Sequence, residues 1–191
     1  MAIWRLTNME LPKIKILDEK NKILHQKSVE VKFPLSAKEK QDIKDMLLYL
    51  KMSQIDEERE KYDLRAGMGL AYVQIGVLKR IFVIVDEYEE GKFKNYVVIN
   101  PEIRSMSEEL VYVGEGEGCL SINRDVEGIV PRHARITVDA YDENGNPYTI
   151  RVREEIAIAF QHEIDHLDGI LFPDRIDKKN PFKDAELMRE I

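Results

Sequence analysis

The stretch that most constrains this chain is Gln161-His162-Glu163-Ile164-Asp165-His166, inside the segment from Glu154 to Gly169. In a helix, residues four apart stack on one face, so His162 and His166 offer two imidazoles to a single divalent metal. Glu163 is turned roughly 100° around the axis from His162, near enough to touch a water at that metal without being a ligand. That is where a general base belongs. The spacing predicts a helix: Ile156, Phe160, Ile164 and Leu167 form an apolar stripe, Glu154 and Glu155 load the first turn with negative charge, and Gly169 supplies a stop. Ala157, Ile158 and Ala159 make the other faces apolar too, so the helix should be buried. Two structural, hydrogen-bonded histidines are the plainer reading, but the chain has only four histidines and two of them fall into this pattern.

Two histidines leave a divalent metal under-coordinated, since a catalytic site usually takes three protein ligands and keeps a position open. Cys119, the only cysteine, lies in the glycine-rich run Gly114-Glu115-Gly116-Glu117-Gly118-Cys119-Leu120-Ser121. A lone cysteine is ordinarily a small buried hydrophobe. The glycines before it and a helix short of one ligand favour ligation. A nucleophilic Cys/His pair is the competing chemistry, and it would leave the His-Glu-x-x-His spacing unused. A zincin-type endopeptidase would need a further ligand downstream, where only Glu186 and Glu190 lie well past the helix.

At 191 residues, 43% hydrophobic and 34% charged, the chain is long enough for one well-buried core and short for two, so residues 1–191 are expected to form a single catalytic domain. A net charge of −7 argues against a nucleic-acid groove and hence against direct DNA binding. One cysteine excludes an intramolecular disulfide. No cleavable signal and no apolar run of about 18 residues is present, so no membrane association and a reducing cytoplasm are expected. Met1-Ala2-Ile3-Trp4-Arg5 reads as ordinary mature sequence.

In chain order, Lys13–Ile16, Ile23–Leu24 and Val29–Phe33 read as short half-buried strands or extended segments ended by Pro34. Ser36 with Glu39 is a capping box opening a helix whose apolar face is Ile43, Met46, Leu47 and Leu50. Residues 53–65 turn polar, as a solvated helix face or surface insertion would. Gly67 to Gly76 carries two glycines that allow close backbone approach, and leads to Gln74 amid apolar neighbours. Ile81–Val85 and Tyr96–Ile99 read as a hairpin broken at Asn100-Pro101, and Leu110–Val113 as a further strand. Arg135–Tyr141 and Tyr148–Val152 flank Asn144-Gly145, a strong hairpin signal. The second of those strands runs straight into the histidine helix.

Three of these stretches, in this order and at these separations, resemble the motifs of the peptide deformylases: Gly67 to Gly76, Glu117-Gly118-Cys119-Leu120-Ser121, and Gln161-His162-Glu163-Ile164-Asp165-His166-Leu167-Asp168-Gly169. The resemblance covers most of the chain from Arg65 to Ile176, and the acidic stretch before Gly67 looks like the insertion of the family's longer branch. It implies an α+β fold with antiparallel sheets packed around the central metal helix. It also implies one metal ion per chain held by Cys119, His162 and His166, usually Fe(II) in the cell and replaceable by Zn, Ni or Co. Glu163 would be the general base and acid, with Gln74 and the Leu120 backbone N–H as oxyanion donors.

The implied reaction removes the N-formyl group of N-formylmethionyl nascent peptides and releases formate, which places the enzyme near the ribosomal exit tunnel. The substrate would lie extended beside Gly67-Met68-Gly69-Leu70, with Met68, Ile158 and Ala159 as walls of the methionine pocket, Gly69 and Gly118 along its path, and Arg124 either at the peptide carbonyls or a plain surface arginine. Three positions depart from the family pattern: Tyr72 where alanine is general, Val73 where proline or a small polar residue is common, and Arg153-Glu154-Glu155 where glycine and aliphatic residues are common. An inactive or altered-specificity, peptide-binding relative is therefore the alternative, and Tyr72 is the residue that keeps it in view.

Overall fold

The computed structural model describes residues 10–191, so Met1–Arg5 lie outside the described residues. The elements are α1 (Ala37–Gln54), α2 (Asp56–Tyr62), β1 (Gly69–Ala71), β2 (Ile81–Glu89), β3 (Lys92–Met106), β4 (Leu110–Tyr112), β5 (Arg132–His133), β6 (Arg135–Tyr141), β7 (Pro147–Arg153), α3 (Glu154–Leu167), α4 (Phe172–Arg175) and β8 (Arg189–Glu190). An antiparallel sheet runs in the order β1-β2-β3-β6-β7. A smaller sheet, β5-β4-β8, joins β8 parallel to β4. The fold is α+β, as expected. No helix among the described residues is long and apolar enough to cross a membrane.

The five-stranded sheet is covered on both faces, and that explains the unbroken apolar run in β2. Phe82 and Ile84 turn to one side, where they meet Ala157, Phe160, Ile164 and Leu167 of α3. Ile81, Val83 and Val85 turn to the other, against Ile43, Met46 and Leu50 of α1. A strand buried on both faces has no polar positions to alternate with. The Phe160 ring meets Phe82 and Tyr96 edge-on, with centroids 5.3 and 5.6 Å away, a favoured arrangement for aromatic pairs.

Both helix signals are realised. Ser36 Oγ accepts from the Glu39 N–H while Glu39 accepts from the Ser36 N–H, capping α1. Glu39 also receives the Lys79 ammonium. At the other end of α3, Gly169 has φ +76, and a Cβ there would lie 2.8 Å from the His25 carbonyl carbon.

Two local expectations are corrected. Ile23–Leu24 falls in a 3-10 turn, Lys22–His25, whereas Lys13–Ile16 and Val29–Phe33 take the extended form of the two that were expected and not the strand. Their alternation reflects an extended segment draped over both cores, with Ile14 and Ile16 on the α1 side and Leu17 on the α3 side. Its backbone is satisfied singly, by Leu17 N–H to Gln74 O and Glu19 N–H to Ser121 O, each 2.8 Å, instead of by a ladder. Nor does Asn100-Pro101 end β3. The register slips between Ile99 and Glu102, which accommodates the missing proline N–H in a bulge. Asn100, at φ +51, uses its amide to bond both the N–H and the carbonyl of Val31.

Gly169→Ala should cost about 2 kcal/mol through the left-handed backbone alone and more through the contact with His25, read as a lowered Tm. A pH effect follows from Glu39. Burial works to raise its carboxyl, but the bonds from Lys79 and Ser36 prevail and hold it at about 2, below its unfolded value of 4.5. Its stabilisation is therefore complete above the unfolded pKa and is lost as pH falls from there toward 2. The stability gap between wild type and Glu39→Gln, measured by urea unfolding, should narrow over that window and stay constant above it.

Candidate metal centre

α3 carries its polar residues while buried on nearly every side, because β7 delivers the chain into it without a loop. The turn is made by Glu154 at φ +53, whose N–H donates to Ala134 O at 2.8 Å. One helical turn apart, the imidazoles of His162 and His166 lie with centroids 5.0 Å apart. The loop before Ser121 folds over them and presents Cys119, so that one ligand atom from each of Cys119, His162 and His166 lies within 4.8 Å of the other two. Cys119 Sγ stands 3.3 Å from His166 Nε2. A thiol with two imidazoles suits Fe, Zn, Ni or Co.

Each partner around these groups prepares them for a cation. Glu117 accepts from His162 Nδ1 at 2.9 Å, which leaves the other ring nitrogen for a metal. Cys119 Sγ is approached by the Ser121 N–H at 3.4 Å and the Gln74 amide at 3.7 Å, which fix where the sulfur sits. Glu163 Oε2 is buried without a protein partner, and His166 turns its Nε2 toward Cys119. The residues present therefore fit a divalent ion.

Glu163 lies against Gly69 so closely that a Cβ on that glycine would collide with its Oε1. Close approach is what this glycine provides. Burial pushes the Glu163 carboxyl up to about 7, against the pull of His162. Gln74 is held from both ends: its Oε1 accepts from the Ala71 N–H at 2.8 Å, and its Nε2 donates to Ser121 Oγ at 3.0 Å. The Leu120 N–H donates to no described residue.

A buried ion network stands behind the helix, and nothing in the sequence had singled out Arg132. Its guanidinium donates to Glu117 at 2.7 and 3.0 Å and to Asp165 at 2.6 Å. Arg175 reaches the same Asp165 from outside. Glu117 sits at about 2: burial would raise it, but the bonds from His162 and Arg132 overcome that. Gln161 fastens α3 to β5 by exchanging both bonds with the His133 backbone, each 2.9 Å. A carboxylate beside the cysteine motif was the available signal for Glu117, because a ligating histidine usually needs an acceptor at its other nitrogen. For Arg132 there was none, since its role depends on two carboxylates distant in the chain.

The centre opens into a cleft of about 350 Å³. Met68, Gly69, Gly118, Ile158 and Ala159 line it, together with Arg65, Glu155 and Ile191. Arg65 was not anticipated: it clamps the cysteine loop through Cys119 O at 3.1 Å and Asn123 Oδ1 at 2.6 Å. Arg124 takes the surface position of its two expected readings. It does not line the cleft, because Glu19 holds its guanidinium at 2.8 and 3.1 Å on the surface. Tyr72 also lies elsewhere, since its ring is buried in the α1-side core and its hydroxyl donates to Asp42 at 2.5 Å. Glu154 pairs with Arg189, whereas Glu155 faces the cleft.

The comparisons with known proteins agree with this geometry. The family model described as Polypeptide deformylase matches residues 13–182. The peptide deformylase of Oceanobacillus iheyensis is 47% identical over 171 residues, which cover 90% of this chain and 93% of that protein. The peptide deformylase of Listeria monocytogenes serotype 4a is 47% identical over 166 residues, covering 87% and 91%. Among solved structures, the peptide deformylase from Thermotoga maritima superposes with a TM-score of 0.68 at 30% identity, covering 86% of this chain and 97% of that one. A plant peptide deformylase gives 0.73 at 30% identity, covering 94% and 88%. The chain thus belongs to the polypeptide deformylase family.

Proposed function

We propose that this chain is a metal-dependent hydrolase that removes the formyl group from N-formylmethionyl nascent peptides, releasing formate and a free amino terminus. The observation that carries the reading is the convergence of Cys119, His162 and His166 around one point, with an unpartnered Glu163 oxygen beside it. Those three residues would hold the ion, and Fe(II) is the proposed native metal, replaceable by Zn, Ni or Co. When bound, such an ion supplies a lowered pKa for water and a Lewis acid for the formyl carbonyl.

The chain's own residues do the rest. Glu163 takes a proton from the attacking water and returns it to the departing amine. The Gln74 amide and the Leu120 N–H stabilise negative charge on the formyl oxygen, one such donor being worth about 3 kcal/mol. Gln74 is pre-positioned for this by Ala71 and Ser121, so its orientation costs nothing at the moment of reaction. The extended backbone at Gly67-Met68-Gly69 offers main-chain bonds that do not depend on the substrate's side chains. We place the reaction in the cytoplasm, on chains leaving the ribosome, with residues 1–191 acting as a single catalytic domain.

The alternative of an inactive relative drew its support from Tyr72, and Tyr72 is packed away from the cleft. A zincin-type peptidase finds no further ligand, because Cys119, His162 and His166 form the only such group among the described residues.

Formate release from formyl-Met-Ala-Ser by anaerobically prepared, Ni(II)-loaded protein should be rapid. Glu163→Gln should lower kcat by about 10²–10⁴-fold while still binding one equivalent of metal. Loss of the metal together with activity would mean that Glu163 only supports the site. Gly69→Ala, which pushes on the same carboxylate, should lower kcat without changing metal content. Fe(II)-loaded enzyme should lose activity in air over hours while the Ni(II) form persists. Air-stable Fe(II) activity would count against iron as the native ion.

A further inference from the structure

Glu155 stands in the first turn of α3, seven residues before His162. Seven residues return a helix to nearly the same azimuth, and the rise separates the two positions by roughly 10 Å along the axis. Both side chains line the cleft. The Glu155 side chain is exposed and, among the described residues, takes part in no hydrogen bond or ion pair. The neighbouring cation Arg189 is already shared by Glu109 at 3.0 Å and Glu154 at 2.8 Å. Elsewhere on the cleft wall, Glu117 is paired with Arg132, and Arg65 is held by Asn123 and the Cys119 carbonyl. Glu155 is thus the one charged lining residue outside the metal centre that no described group engages.

We propose that Glu155 is a specificity determinant, favouring formylated peptides that carry lysine or arginine at the second or third residue. This rests on the deformylase reading. An extended peptide advances about 3.3 Å per residue. Laid along the cleft toward the start of α3, with its formyl group at Cys119, His162 and His166, it would bring its second and third residues beside Glu155. Ile158 and Ile191 belong to one apolar cluster and line the same cleft, offering an apolar surface for the stem of a long cationic side chain. The charged tip then reaches the Glu155 carboxylate. An exposed pair is weak, so the preference is about threefold to fivefold, is carried by KM, and fades with salt.

The test measures kcat and KM for formyl-Met-Lys-Lys and formyl-Met-Glu-Glu, each relative to formyl-Met-Ala-Ser in the same variant, in Ni(II)-loaded wild type, Glu155→Gln and Glu155→Lys. The wild type should favour the lysine peptide through KM. Glu155→Gln should remove most of that preference and Glu155→Lys should invert it, with both effects shrinking at high salt. Turnover with the same charge preference in all three proteins would overturn the inference alone. Silence of the wild type on every peptide would overturn the deformylase reading and the inference with it.

Discussion

Burial of α3 is the constraint from which the rest of the site follows. The helix is enclosed by the five-stranded sheet on one side and by β5 and the cysteine loop on others, so its polar side chains are removed from water. A buried polar group without a partner is costly, and a buried charge more so. Hence Gln161 is tied to the His133 backbone, His162 to Glu117, and Asp165 to Arg132 and Arg175. After this pairing two polar atoms of the helix are left without a protein partner, Glu163 Oε2 and His166 Nδ1, the latter being the ring nitrogen other than the Nε2 that meets Cys119. The site is the part of a buried helix that the protein leaves for a ligand.

Arg132 holds the two halves of the centre together. It lies between Glu117 on the cysteine loop and Asp165 on α3, with side-chain exposures of 3%, 4% and 8%. Buried ion pairs contribute little net stability, because desolvation offsets the attraction. Their value here is positional. Removing Arg132 would leave two buried carboxylates facing one another, whereas its presence fixes where Glu117 meets His162 and therefore which ring nitrogen faces Cys119.

The cleft shows how one sheet serves both packing and binding. β1 is a short edge strand, and on it Gly69 gives the Glu163 carboxylate room while the neighbouring Leu70 packs against α1. Tyr72 follows the same logic. It occupies a position expected to crowd the substrate, yet it turns to the α1 side, where burial and the bond to Asp42 raise its phenol pKa. Of the departures from the family pattern, it is Glu155 that faces the cleft, and it adds charge there without touching Cys119, His162 or His166.

Local chemistry made much of this legible in the sequence. The period of α3, the Ser36–Glu39 cap and the Asn144-Gly145 turn depend on residues close in the chain, so they could be read directly. The histidine pair could be read for the same reason, since four residues along a helix is a fixed geometry. Cys119 was legible because two imidazoles need a third donor and the chain has one thiol. Apolar alternation at Lys13–Ile16 could not separate a strand from an extended segment, because a segment lying across a core buries every second residue whether or not it joins a ladder. Asn100-Pro101 misled because a bulge can absorb a missing N–H that would otherwise end a strand. Arg132, Arg65 and the orientation of Tyr72 were decided only by the tertiary structure. Each depends on a partner at least 15 residues away, Glu117 for Arg132, Asn123 for Arg65 and Asp42 for Tyr72, and no local pattern records which distant carboxylate or carbonyl the fold brings near.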